Sequence, residues 1–115
     1  MSLQKGDIVL VPFPFTDLRE TKLRPGLVLW VDGNGNDVTL CFISSQNVTK
    51  IAPEEFILDT SDSDFATTGL RVISKVRVTR IVTVEQRLIT RRIGKLAISQ
   101  LQQLNTVMSQ AFQLT

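Results

Sequence analysis

From residue 8 onward the apolar positions come in short runs of strand length, each closed by a polar or turn-forming segment. Only the last stretch of the chain changes to helical spacing. Residues 8–13 form an apolar run rich in β-branched side chains, which predicts a buried strand. Pro12 and Pro14 place its far end at a sheet edge or a bulge, because proline has no N–H to give to a ladder. Residues 27–31 predict a second strand and residues 38–43 a third. Between them Asp32-Gly33-Asn34-Gly35-Asn36-Asp37 is dense in turn formers, so the two runs read as a hairpin. Ser44-Ser45-Gln46-Asn47 then ends the apolar run with side chains that donate hydrogen bonds. Residues 55–58 predict a short strand and residues 60–68 a polar loop. Residues 70–74 and 76–84 alternate in the strand manner. In the second of these, Val76, Val78, Arg80 and Val82 share one face, and Arg77, Thr79, Ile81 and Thr83 the other.

Near the C-terminus Leu101, Leu104, Met108 and Ala111 recur at three and four residues. This predicts an amphipathic helix from about residue 97 or 99 to about 112, with Gln100, Gln102, Gln103, Asn105 and Gln110 on its polar side. The three apolar residues Leu101, Leu104 and Met108 read as its core stripe. Short strands followed by one helix predict a small, strongly bent antiparallel barrel capped by that helix. Trp30 and the six Phe are expected mostly in its core. The 115 residues suit one domain, residues 1–115, able to bury roughly two-thirds of its unfolded surface. No apolar run approaches the ~20 residues of a membrane span, and no N-terminal stretch has the pattern of a secretory signal. Cys41 has no intrachain partner and lies in an apolar run, so it reads as a core thiol of a cytoplasmic protein.

Composition narrows the chemistry. The chain has no His, which removes a His base, a Ser-His pair and a His metal ligand, and its single Cys removes the common zinc spacings. Gly33-Asn34-Gly35-Asn36 lacks the Lys-Ser/Thr of a phosphate loop and reads as a turn. The net charge of +2 conceals an asymmetry. Residues 1–65 hold 5 Lys/Arg against 10 Asp/Glu, and residues 66–115 hold 8 against 1. A basic half suits an anionic partner such as a nucleic acid, or is neutralised by the acidic half in the fold.

One cation stands out. Arg24 follows the polar segment 16–23 and opens Arg24-Pro25-Gly26-Leu27, where Pro25 biases it toward an extended conformation. A guanidinium fixed at such a rim can grip a phosphate, or it can form a surface ion pair with Asp7 or Glu20 worth under ~1 kcal/mol. Ser44 and Ser45 offer hydroxyl donors or simply close a turn, and Gln46 can read a base edge or face solvent. Arg77, Thr79 and Arg80 alternate across a strand, so only one face of it can meet a nucleic acid. Arg87, Arg91 and Arg92 are further phosphate contacts or exposed charge near a turn.

Taken together and in order, these segments resemble the MazF/PemK family of toxin ribonucleases. The resemblance runs through Gly6-Asp7-Ile8-Val9-Leu10-Val11, Leu23-Arg24-Pro25, Leu27-Val28-Leu29 and Phe42-Ile43-Ser44-Ser45-Gln46. It continues through Gly69-Leu70 and Arg92-Ile93-Gly94-Lys95-Leu96, and so covers nearly the whole chain. It implies a mainly β, SH3-like barrel with a C-terminal helix, acting as a homodimer. It implies the toxin of a type II toxin-antitoxin system that cleaves single-stranded RNA at short motifs without a metal or other cofactor. It implies a cognate antitoxin whose C-terminal peptide blocks the RNA groove, and DNA binding together with that antitoxin. The catalytic residues it implies are Arg24 and Ser44. Glu20, Ser45, Gln46, Arg77, Thr79 and Arg80 are then the expected RNA contacts. The chain departs from the family pattern where Ser44 stands for the usual Thr, keeping the hydroxyl but losing the methyl that restricts its rotamers. It departs again at Thr79, where relatives often have Asp, and in segment 16–23, which lacks their glycines.

The chemistry so implied uses the substrate 2′-hydroxyl as nucleophile and leaves a cyclic phosphate and a 5′-hydroxyl. Arg24 would supply fixed charge and forked donors, and Ser44 one more donor. Glu20 and Asp17 are candidate bases, and a slow enzyme can release the proton to solvent. The alternative is a catalytically weak or inactive RNA-binding or target-inhibiting module of the same fold, or a housekeeping protein without a toxic role. The related CcdB gyrase poisons act through a Trp-Gly-Ile tail, where this chain has Ala111-Phe112-Gln113-Leu114-Thr115.

Overall fold

The computed structural model describes residues 2–13 and 22–114. The strands are β1 (Asp7–Phe13), β2 (Lys22–Val31), β3 (Asp37–Ser44), β4 (Glu55–Leu58), β5 (Ser74–Glu85) and β6 (Arg91–Lys95). One helix, α1 (Ile98–Ala111), follows them. The strands form a single antiparallel sheet in the order β4-β5-β3-β2-β1-β6, bent into a half-barrel. Its arrangement is that of the predicted bent barrel with a terminal helix.

The proline signal in β1 is explained by register. β2 pairs with β1 as far as Phe13 opposite Lys22, whereas β6 covers only Asp7 to Leu10. Pro12 thus lies past the end of β6, with a neighbouring strand on one side among the described residues. Pro14 lies outside the described residues. The same pairing extends β2 beyond the apolar run that predicted it: Arg24 and Pro25 stand inside the strand, opposite Val11 and Leu10.

Both faces of the sheet are packed. One cluster joins Ile8, Leu27, Cys41, Ile43, Val76, Val78, Phe56 and Leu58 to Leu104 and Val107 of α1. The other joins Leu3, Val9, Val11, Val28, Val38, Leu40 and Ile89. Burying each such Leu, Ile or Val contributes roughly 1.5–3 kcal/mol. β5 serves both clusters because of a large irregularity: Arg77 lies opposite Phe42 and Ile81 opposite Cys41, four steps on β5 for one on β3. Val76 and Val78 pack in the first cluster, Val82 and Val84 against the second. Arg80, expected on their common face, is instead exposed at the bend.

Four further expectations are corrected. Residues 70–73 form no strand, because Gly69, with φ 73°, turns the chain away from the sheet before Ser74 begins β5. Within 60–68 a 3-10 turn forms at Phe65–Thr68, led in by Asp59 and Asp62 side chains that accept the Ser61 and Asp64 N–H groups. Trp30 follows a register shift in β2 and is 51% exposed rather than core. Gln100 is buried rather than on the polar side of α1, and its Oε1 accepts the Ala97 N–H at 2.8 Å, capping the helix start. Val107 takes its place in the apolar stripe beside Leu104.

Cys41 is buried, and burial pushes its thiol up to about 12. The expected result is no reaction with a thiol reagent at neutral pH in the folded protein and one reactive thiol after unfolding in urea. No described helix is long and apolar enough to cross a membrane.

Candidate functional site

Arg24 and Ser44 meet because β2 and β3 are neighbours. β2 pairs with β3 from Val31 opposite Val38 to Gly26 opposite Phe42, and Arg24 and Ser44 each lie two residues beyond that last pair on their own strands. Both side chains line two adjoining cavities, of about 440 and 400 Å³. They stand on the saddle between them, together with Ile43. Arg24 is exposed, and among the described residues no carboxylate pairs with it. Asp7, one of its anticipated partners, is buried and faces Arg92 at 3.7 Å instead. Glu20 and Asp17 lie outside the described residues.

Ser44 ends β3, and its Oγ accepts the Gln46 N–H at 3.0 Å. This turn fixes the rotamer that the missing methyl would otherwise restrict, and it leaves the hydroxyl hydrogen free to donate. Beyond it Asn47 adopts φ 52°, and the Lys75 ammonium donates to the Asn47 and Lys50 carbonyls, both at 3.3 Å. Lys75, directly opposite Ser44 on β5, is buried against Glu55 at 3.2 Å. The other Glu55 oxygen takes the Arg77 Nε at 2.9 Å, and Oε1 also accepts the Ala52 N–H at 2.9 Å. Burial alone would raise the Glu55 carboxyl, but the Ala52 N–H and the two cations outweigh it and hold the carboxyl below its ordinary range.

The first cavity is walled by Ser45 and Gln46 on one side and by Leu70, Arg71, Arg91 and Ile93 on others. Gly69 and Gly94 bring that wall in: a Cβ on Gly69 would collide with the Ile93 carbonyl, and one on Gly94 with the backbone at Thr67 and Thr68. The second cavity is walled by Phe13, Phe42, Arg77 and Arg80. Thr79 lines neither; it borders a shallow groove that continues along Phe13, Phe42 and Arg80. Among the described residues no Asp or Glu lines either cavity, whereas Arg24, Arg71, Arg77, Arg80 and Arg91 do. Such a site favours a polyanion and holds its phosphates with donors that stay charged.

The structure therefore brings together Arg24, Ser44, Ser45, Gln46, Arg77 and Arg80, and leaves Thr79 at the margin. Arg92 and Arg87 are engaged elsewhere, with Asp7 and Glu85. Arg71 was not singled out from the sequence. Its one signal was its place directly after Gly69-Leu70, where Gly69 takes a left-handed turn.

A family model of PemK-like, MazF-like toxins of type II toxin-antitoxin systems matches residues 4–112. The chain belongs to this toxin family. Among solved structures, an endoribonuclease in complex with its cognate antitoxin, from a Mycobacterial species, aligns with TM-score 0.72. It is 16% identical and covers 99% of this chain and 98% of its own. The Mycobacterium tuberculosis toxin MazF-mt6 aligns with TM-score 0.72 at 24% identity, over 93% of this chain and 96% of that one. A further Mtb toxin aligns with TM-score 0.63 at 25% identity, over 76% and 91%. No curated protein is significantly similar in sequence. The first two likenesses extend over 99% and 93% of this chain, so the saddle of Arg24 and Ser44 lies within the fold that these structures share.

Proposed function

We propose that this toxin-family chain is an endoribonuclease that cuts single-stranded RNA by metal-independent attack of the substrate 2′-hydroxyl. The observation that carries the reading is the Arg24–Ser44 pair on a saddle between two arginine-lined cavities. A phosphate on the saddle receives the Arg24 fork and the Ser44 hydroxyl, and the chain on either side runs into a cationic cavity. The 2′-oxygen attacks phosphorus, its proton passes to solvent or to Asp17 or Glu20, and the 5′-oxygen leaves with a proton from solvent. Arg24 and Ser44 stabilise the charge that builds on the phosphate oxygens. The likeness to an endoribonuclease held by its cognate antitoxin supports an antitoxin partner for this chain as well. That the toxin works as a cytoplasmic homodimer is part of the same proposal and rests on membership of the toxin family.

The test is purified protein with mixed-sequence RNA in EDTA. Fragments with uniform end groups are expected. RNA binding without fragments would establish the silent-binder alternative instead. Ser44 gives a graded check. Ser44→Ala should slow cleavage roughly ten- to a hundredfold, the worth of one hydrogen bond to a charged group, while Ser44→Thr should retain the rate. Equal rates for Ser44→Ala and the parent would remove Ser44 from the site.

A further inference from the structure

The cavities on the two sides of the saddle differ in kind. The first is walled by strand residues together with the turns at 45–46 and 69–72, and its cations besides Arg24 are Arg71 and Arg91. The second contains an aromatic pair, Phe13 and Phe42, with ring centroids 4.2 Å apart and planes tilted by 57°. Both rings are only partly buried, and both recur in the groove that continues past Arg80. Its volume, about 400 Å³, is in the range of small-ligand sites. We infer that the second cavity is a nucleobase subsite that selects a keto base, guanine or uracil, over the amino bases adenine and cytosine.

Two observations carry this, on the reading that the saddle binds RNA. The first is stacking. Unpaired bases of single-stranded RNA are held on aromatic rings and guanidinium planes, and the Phe13–Phe42 wall with Arg80 beside it offers both. The second is the donor inventory. Among the described residues, the charged side chains of this cavity are Arg24, Arg77 and Arg80, all donors with no acceptor atom. The Glu55 carboxylate, which pairs with the lining residue Arg77, has both oxygens engaged, Oε1 by Ala52 and Lys75 and Oε2 by Arg77, and it does not line the cavity. Arg77 gives its Nε to Glu55 and keeps its terminal nitrogens as donors. A carbonyl oxygen on a base edge therefore meets cationic donors, while among the described residues an exocyclic amino group meets no carboxylate to receive it. Guanine presents O6 and N7, and uracil presents O4; adenine and cytosine place an amino group at the corresponding position.

The experiment uses the full chain and 2′-O-methyl heptamers of uridine and of cytidine. These cannot be cleaved, and they differ at position 4 as carbonyl against amino. Affinity is measured at one fixed salt concentration, because phosphate contacts make it salt-dependent. The parent protein is expected to bind the uridine heptamer roughly tenfold or more tightly, within the range of one specific base contact. Arg80→Met, which keeps an apolar stem but loses the donors, should bring the ratio close to one. Phe42→Leu, which keeps the apolar contact with the second core cluster, should weaken both heptamers several-fold or more. Equal or reversed affinities in the parent, no binding of either heptamer, a uridine preference that survives Arg80→Met, or unaltered affinity in Phe42→Leu would each overturn the subsite. Cleavage of unmodified RNA in parallel separates this from the nuclease reading. Cutting without uridine preference removes the subsite alone, and uridine preference without cutting removes the nuclease alone.

Discussion

Replacing Arg24 by alanine should slow RNA cleavage about 10²–10³-fold under single-turnover conditions, with little loss of stability. The rate falls because Arg24 is aimed at charge that grows in the transition state, where a preorganised donor acts most strongly. Stability holds because Arg24 is exposed and no described carboxylate pairs with it, so no buried partner is orphaned. Its backbone stays in β2 through the pairing opposite Val11. RNA should still bind, since Arg71 and Arg91 on one side and Arg77 and Arg80 on the other remain. The loss should therefore appear mainly in kcat rather than KM, the mark of an interaction made chiefly in the transition state. Arg24→Lys should recover only part of the rate, because an ammonium keeps the charge without the planar fork. A rate equal to the parent's, or a loss confined to KM, would contradict the assignment.

Replacing Glu55 by glutamine should destabilise the fold by about 3–5 kcal/mol, the usual result of removing one partner from a buried ion pair. Lys75 would remain buried beside neutral acceptors only, without the carboxylate that balances its charge. Since Lys75 also ties down the turn that follows Ser44, cleavage should slow in the same variant beyond what unfolding explains. Urea unfolding measures the first effect, and its pH dependence identifies the group. The folded carboxyl lies below its ordinary range. The stability it contributes is thus fully present above that range and is lost as pH falls through the folded value. The gap between parent and Glu55→Gln should narrow over that acidic window and stay constant near neutrality. A gap that widens toward acid would show that another group is being read.

The outline of the fold was legible because runs and turns are local signals. The 55–58 strand, the hairpin around residues 32–37 and the C-terminal helix each follow from a few adjacent residues. What escaped depends on register and on distant partners. Trp30 turns outward at a shift in the β2–β3 ladder, and Arg80 leaves its expected face at the β5 irregularity. Gln100 looks polar in sequence, yet it is buried because the helix start needs an acceptor. At the site, Arg24 and Ser44 were readable as a pair only through the family resemblance, since 20 positions separate them and only sheet order joins them. Arg71 and the full engagement of Glu55 required the folded chain, because both depend on side chains brought from other strands and turns.

The central claim is that the saddle orients a phosphate for attack by the substrate's own 2′-hydroxyl. The most direct measurement compares an RNA that the protein cuts at one site with the same strand carrying a single 2′-deoxynucleotide immediately 5′ of that bond, both in EDTA. The account predicts that the two strands bind with similar affinity and that only the all-ribose strand is cut, leaving a cyclic phosphate and a 5′-hydroxyl. Cleavage of the deoxy-substituted strand at the same bond and rate would contradict it.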